Sequence, residues 1–208
     1  MTTKDINFDS NVKDVYEIIA EHFNEKRFSL WDWIETFLDA FPPGSLIYDI
    51  GCGPGRNIRQ GMIGVDNCDN FIKICHEKGK HVIKGSMTSL PLESNNGIGM
   101  ICIAAFHHLK TEKDRLDALF EFKRVLKPNS RIMISIWSIK QGVETKGNRK
   151  LKFEYGHTLV PWNNNGKIYQ RYYYIFNIDE ITELFEKTGL KVINHFWNHG
   201  NEVFILET

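Results

Sequence analysis

The chain is short of several things, and each shortage removes a class of protein. It has only four cysteines in 208 residues, Cys52, Cys68, Cys75 and Cys102, and no two are spaced C-x-x-C. A disulfide framework or a zinc ribbon needs such pairs, so free thiols, no metal site and a cytoplasmic location are expected. No apolar run reaches 18 residues, which excludes an evident membrane-spanning helix. The first residues, Met-Thr-Thr-Lys-Asp-Ile-Asn, lack the apolar centre of a signal peptide. Net charge is absent too, with 26 Lys and Arg against 26 Asp and Glu. Neither an internal repeat nor a linker breaks the sequence, so a single domain over residues 1–208 is expected. Its hydrophobic content of 42% is enough to build a full core at this length.

The zero balance hides an uneven spread. Residues 123–171 hold eleven Lys or Arg against two acids, Glu144 and Glu154, and the rest of the chain carries the compensating excess of acid. A basic face on a neutral protein fits a polyanionic substrate, and solvated surface lysines are the plainer alternative.

What the chain does have is a glycine at every second position after an apolar run. Residues 46–50 predict a buried strand, and it breaks into Gly51-Cys52-Gly53-Pro54-Gly55-Arg56-Asn57. Glycine tolerates positive φ and lets a ligand approach the backbone. A short helix is expected next, its unpaired N–H groups facing the same space. The spacing is G-x-G-x-G, not the G-x-G-x-x-G of a dinucleotide site, and no Lys-Ser or Lys-Thr follows as in a phosphate loop. The acid before it, Asp49, disfavours a pyrophosphate and suits a cation. This resembles the first motif of class I S-adenosylmethionine (AdoMet) methyltransferases.

Ahead of that strand, residues 12–41 show helical spacing in two runs with a break near 25–29, and Pro42-Pro43-Gly44 ends the second. A helical lid over the Gly-rich loop is expected here. After the loop, residues 62–66 predict a second strand ending in Asp66, an acid able to take two ribose hydroxyls. A helix over 68–78 and a third strand over 81–84 follow. Ser89-Leu90-Pro91-Leu92 is a turn expected to close over the adenine. Residues 99–105 are continuously apolar, as in a strand buried on both faces, and run into Phe106-His107-His108-Leu109. Thr111-x-x-Asp114 caps the next helix, Lys127-Pro128-Asn129 ends it, and 131–137 predicts strand five. Residues 138–166 lose all periodicity, the mark of a functional or disordered excursion. An aromatic run at 168–176, a helix from Asn177 to Gly189 and a terminal hairpin complete the chain. The fold expected is α/β: a doubly wound, Rossmann-like, mostly parallel seven-stranded sheet with a C-terminal antiparallel hairpin.

Four further pieces are narrower: His22-Phe23-x-x-x-Arg27 with Trp31, Trp137-Ser138-x-x-x-Gly142, Val160-Pro161-Trp162 and Arg171-Tyr172-Tyr173. Their order and spacing are similar to the eukaryotic tRNA wobble-uridine methyltransferases, which esterify 5-carboxymethyluridine. That resemblance implies AdoMet as cofactor, the tRNA anticodon loop as substrate and a small zinc-binding activator protein as partner. It implies cofactor contacts from His22, Asp49, Gly51, Gly53, Gly55, Asp66, Asn67, Ser86, Met87 and Ala104. Ser86 stands where the family usually has an Asp, a neutral and weaker partner for the adenine amino group. On the substrate side it implies Arg27, His107, His108, Trp137 and Arg171. A carboxylate nucleophile is already ionised at neutral pH, so the site needs cationic or donor groups and no base. Arg27 and Arg171 suit it as forks, with a surface charge and an aromatic stack as their alternatives. Either His107 or His108 faces the site, His108 being favoured, and Trp137 or Trp162 stacks on the base or packs in the core. A small-molecule methyltransferase acting alone and an inactive scaffold are the competing functions. The activator is expected to pair along the edge strand at 81–84 and to bury Met62, Ile63, Val65, Phe71, Ile72 and Ile74.

Overall fold

The computed structural model describes residues 11–26, 30–141 and 153–208. Its centre is a seven-stranded sheet in the order β3-β2-β1-β4-β5-β9-β8. Five strands are parallel: β1 (Ile47–Ile50), β2 (Ile63–Asp66), β3 (Val82–Lys84), β4 (Gly97–Ile103) and β5 (Leu126–Trp137). The hairpin of β8 (Lys191–Asn198) and β9 (Asn201–Glu207) completes the sheet, β9 running antiparallel to β5. The strand order reverses between β1 and β4, which opens a crevice at their carboxyl ends.

Helices cover both faces. On one, α4 (Glu112–Val125) and α5 (Ile178–Lys187) pack Leu119, Phe122, Ile181, Leu184 and Phe185 against Tyr48, Met100 and Ile132. Their starts are capped as the sequence predicts, by Thr111 and Asn177 accepting from Asp114 and Asp179 backbone N–H groups. On the other face, α2 (Asp32–Asp39) buries Ile34, Phe37 and Leu38 against Ile47, Ile101 and Met133, while α3 (Asp69–Glu77) adds Cys75. Of the residues 12–41 expected to form a lid, α1 (Val12–Glu25) is the part outside that core layer, and the lid reading is confined to it. The second helical run is a core layer, because its apolar stripe meets the sheet.

Three other expectations change. No helix follows β1: residues 51–61 form turns, with Gly51, Gly53, Gly55 and Gly61 all at positive φ. Four left-handed glycines and Pro54 within eleven residues leave no run able to sustain a helical turn. The aperiodic excursion contains β6 (Gly156–Asn164), which pairs antiparallel with β7 (Lys167–Ile175) as a separate two-stranded ribbon. Among the described residues the basic stretch forms no single face. Lys123 bonds the carbonyls of Thr188 and Gly189, Arg124 those of Leu90 and Leu92, and Arg131 pairs with Glu207, all toward the end of β5 away from Trp137. Lys146, Arg149, Lys150 and Lys152 lie outside the described residues.

Candidate active site

A cavity of about 360 Å³ occupies the crevice, within the range of roughly 300–1,000 Å³ typical of ligand sites. The turn after β1 supplies its floor through Gly51, Cys52, Gly53, Pro54, Arg56 and Asn57. Gly51 has φ +69°, and a Cβ there would stand 2.4 Å from the Ala105 Cβ, so backbone from two strands meets with no room for a side chain. Asp66 and Asn67 come from the end of β2, Ser86 and Met87 from the loop after β3, and Ala104 and His108 from the end of β4. Ala104 itself sits at φ +52°, a conformation that non-glycine residues adopt at a cost, and strained positions of this kind cluster at functional sites. The lid contributes Val12, Tyr16 and Phe23, and Trp31 lies just beyond it.

Of the expected cofactor residues, Gly51, Gly53, Asp66, Asn67, Ser86, Met87 and Ala104 line the cavity together. Gly55 and Asp49 stand behind the wall; Gly55 packs toward Cys75 and Lys80. His22 is placed elsewhere, accepting at Nδ1 from the Trp162 indole N–H at 3.1 Å, where the lid touches the β6–β7 ribbon. The turn at residues 89–92 also stays out of the wall, because Glu121 and Arg124 tie Leu90 to α4.

Besides Arg56, whose guanidinium lies over the Trp31 ring, the floor offers acceptors. Asp66 takes N–H bonds from Gly53 at 2.8 Å and Cys68 at 2.9 Å, which aims the carboxylate and leaves lone pairs over. Both Asp49 oxygens and the Asn57 Oδ1 are buried without a partner. Burial, then the neighbouring Asp66, pushes the Asp49 carboxyl up to about 7. Unpaired acceptors beneath a cavity suit a ligand bearing positive charge and N–H or O–H donors. AdoMet, with its ammonium, sulfonium and ribose hydroxyls, fits that donor set.

The opposite end of the cavity is aromatic and carries donors. Trp137 and Tyr173 line it, their rings stacked at 4.3 Å between centroids. Beyond them lies Arg171, only 4% exposed, its guanidinium 5.3 Å from the Tyr173 ring and 4.7 Å from the Trp162 ring. Its Nε and Nη1 have no acceptor. His108 reaches the wall, whereas His107 is fully buried behind it and accepts the Trp137 backbone N–H at Nδ1. Burial lowers both imidazoles, His108 to about 4, so neither is charged at neutral pH. Arg27 falls outside the described residues.

Sequence reasoning missed Tyr16, Asn57, Gln141, His199 and Asn201 as wall residues. Gln141 takes the Trp137 indole N–H at 3.2 Å in the amide orientation that satisfies both its ends. Tyr16 had a visible signal: it shares one helical face with Val12 and Ile19, and a phenol on an apolar stripe needs a partner for its hydroxyl.

Strand order, the turn after β1 and the acid at the end of β2 define a class I AdoMet-dependent methyltransferase. A methyltransferase domain family model matches residues 48–134. The fold is shared with a methyltransferase solved in complex with the Haloferax volcanii Trm112 methyltransferase activator, at a TM-score of 0.67 and 16% identity, over 95% of this chain and 97% of that one. The tRNA (carboxymethyluridine(34)-5-O)-methyltransferase of Schizosaccharomyces pombe is 32% identical over 222 residues, covering 94% of this chain and 95% of that protein. The enzyme of that name from Arabidopsis thaliana is 39% identical over 134 residues, 62% of this chain, and the match spans only 33% of its length. The chain belongs to the tRNA (carboxymethyluridine(34)-5-O)-methyltransferase family.

Proposed function

We propose that the chain transfers a methyl group from AdoMet to the carboxylate of 5-carboxymethyluridine at the wobble position of tRNA, forming the methyl ester. The observation that carries this reading is the placing of two sets of unpaired groups, apart from the Asn201 Oδ1 beside Trp137. Acceptors without partners lie under the cofactor end (Asp49, Asn57), and donors without partners lie beyond the aromatic end (Arg171 Nε and Nη1). A cationic donor at one end and a carboxylate at the other complete both sets.

When bound, the cofactor supplies an electrophilic methyl carbon on a sulfonium. Asp66 would hold the ribose hydroxyls and the glycine turn the methionine part, with Asn57 in the wall and Asp49 behind it compensating its positive charge. Arg171 takes the carboxylate of the modified base, whose ring Trp137 and Trp162 receive by stacking. The free Arg171 donors hold one oxygen away so that the other faces the methyl group, and such alignment is worth about 7–11 kcal/mol in favourable cases. No base is required, and with its ring neutral and His108 Nε2 bonded to the Tyr16 hydroxyl at 3.0 Å, none is offered there. Arg27 is assigned to the same substrate side by its place in the motif.

The partner reading is a small zinc-binding activator pairing along β3, in the cytoplasm where tRNA is modified. Its support is that β3 ends the sheet and that the Haloferax neighbour was solved with an activator. The patch offered is smaller than the sequence predicts, since Met62, Val65 and Phe71 are buried within the chain and Ile63, Ile72, Ile74 and Ile83 remain half-buried. The Val82 carbonyl also lies 2.9 Å from His76 Nε2, so pairing there displaces the imidazole. Nucleoside mass spectrometry of tRNA incubated with AdoMet and the chain, with and without a co-expressed activator, tests the whole reading. Conversion of 5-carboxymethyluridine to its methyl ester supports it, and no conversion under either condition refutes it.

A further inference from the structure

Tyr16 sits where the lid helix crosses the 3-10 turn at Phe106–His108, and the protons of this cluster can be placed one by one. His108 Nδ1 lies 2.7 Å from the Tyr172 carbonyl oxygen. A carbonyl only accepts, so Nδ1 carries the ring proton. The ring is neutral, and Nε2 therefore presents a lone pair. The Tyr16 hydroxyl, 3.0 Å from Nε2, must donate to it. Its oxygen in turn faces the Tyr173 hydroxyl at 3.5 Å. His107 has the opposite tautomer, because its Nδ1 accepts the Trp137 N–H. The groups around His108 are Tyr16 from α1, His107 from its own turn, and Arg171 and Tyr173 from β7. None of these is a carboxylate.

The ring of Tyr16 packs among His108, Phe23 and Phe71, at 5.3, 5.6 and 5.8 Å between centroids. One residue on, Glu17 accepts from the backbone N–H groups of Asp69 and Asn70 at the start of α3. Adjacent residues of the lid thus bind the two sides of the cavity: Glu17 holds the β2 side, and Tyr16 the β4 and β7 side.

We propose that Tyr16 is a positioning residue for methyl transfer, its hydroxyl tying α1 to the substrate side and occupying the Nε2 lone pair of His108, which lines the cavity with it. The inference rests on the carboxylate reading above and sharpens it. With that lone pair taken, His108 cannot relieve an alcohol, phenol or ammonium of its proton, and the site favours a nucleophile that arrives ionised. A carboxylate does so at neutral pH; an alcohol or a phenol does not.

The test uses the full chain, with its activator where activity needs one, and Tyr16→Phe, which keeps the ring and deletes the hydroxyl. The expected result is a kcat lower by about tenfold, with KM for tRNA and Kd for AdoMet within twofold of the parent. Independently of substrate, 15N spectra of the histidine rings, assigned with His108→Gln, should show the parent His108 protonated at Nδ1 and hydrogen-bonded at Nε2. In Tyr16→Phe the Nε2 resonance should move to that of an unbonded lone pair. An unchanged kcat, a loss expressed wholly as weaker AdoMet binding, or a parent His108 protonated at Nε2 overturns the proposal. The ring spectra decide even if the variant does not fold. A parent chain that shows the expected spectra but leaves 5-carboxymethyluridine untouched sinks the substrate reading, not the hydrogen bond.

Discussion

Asp49 is the place where the cofactor end costs the fold most, and Asp49→Asn measures that cost. In an unfolded chain an aspartate titrates near 3.9. In the fold, burial first and Asp66 second push Asp49 up to about 7. The folded state therefore binds the extra proton, and stability from this group is complete below pH 4, falls between about 4 and 7, and stays low above 7. Three units correspond to about 4 kcal/mol at 1.36 kcal/mol per unit, as an order of magnitude for a group 1% exposed. Asparagine has nearly the same shape and does not titrate, but its amide is left unpaired at a cost of about 1–3 kcal/mol. The variant should then be about 1–3 kcal/mol more stable than the parent at pH 8 and no more stable at pH 4.5. Urea unfolding at several pH values between 4.5 and 8 reads the difference directly. Ligand binding should move the opposite way. A cation bound at this end recharges Asp49 and releases its proton, so parental affinity for AdoMet should rise from pH 5 to 7, and the variant should bind more weakly without that slope. Parallel stability curves for parent and variant, or a parent that gains on the variant as pH rises, would refute the assignment of an unpaired, burial-shifted Asp49.

Other residues carry simpler expectations. Asp66→Ala removes the acceptor for two hydroxyls and the ties to Gly53 and Cys68, and calorimetry should show AdoMet affinity down by more than tenfold. Gly51→Ala sets a Cβ 2.4 Å from that of Ala105 at φ +69°, so cofactor binding should be lost even where the variant still folds, as circular dichroism can check. Turnover at saturating tRNA and saturating AdoMet, where the Asp49 effect on cofactor affinity drops out, should be flat from about pH 6 to 8.5. His108, held to about 4 by burial, stays neutral throughout and the carboxylate stays ionised, so a basic or acidic limb near 6.5 would contradict both. Arg171→Lys keeps the charge but loses the fork, and should lower kcat/KM by roughly tenfold or more at unchanged AdoMet affinity.

Much of the frame was legible because it is locally determined. The 99–105 run predicts a doubly buried strand, and Met100, Ile101 and Cys102 are indeed fully buried. Thr111 and Asn177 announce their helices through side-chain caps that act within three residues. The failures are non-local. β6 has one fully buried apolar residue, Val160, and becomes a strand only because β7 supplies its partner; no periodicity in 138–166 records that. The same holds for charge: among the described residues, cations near one another in sequence separate in space, Lys123 and Arg124 bonding backbone carbonyls and Arg171 buried among aromatic rings. The position of the glycine turn was readable because close approach to backbone demands glycine, and that of Asp66 because it closes an apolar strand run; both line the cavity. For Tyr16 only the need of a partner was readable, not the partner, a histidine 92 positions away.

The central claim is that the acceptor is a carboxylate, and the product's chemistry tests it most directly. tRNA bearing 5-carboxymethyluridine is incubated with the chain, with and without a co-expressed activator, and AdoMet carrying a deuterated methyl group, and half of the product is treated with mild base before digestion to nucleosides. The account predicts one labelled methyl on the wobble uridine, lost on base treatment with return of 5-carboxymethyluridine, as only an ester allows. A label that survives base, or one on any other nucleoside, would contradict it.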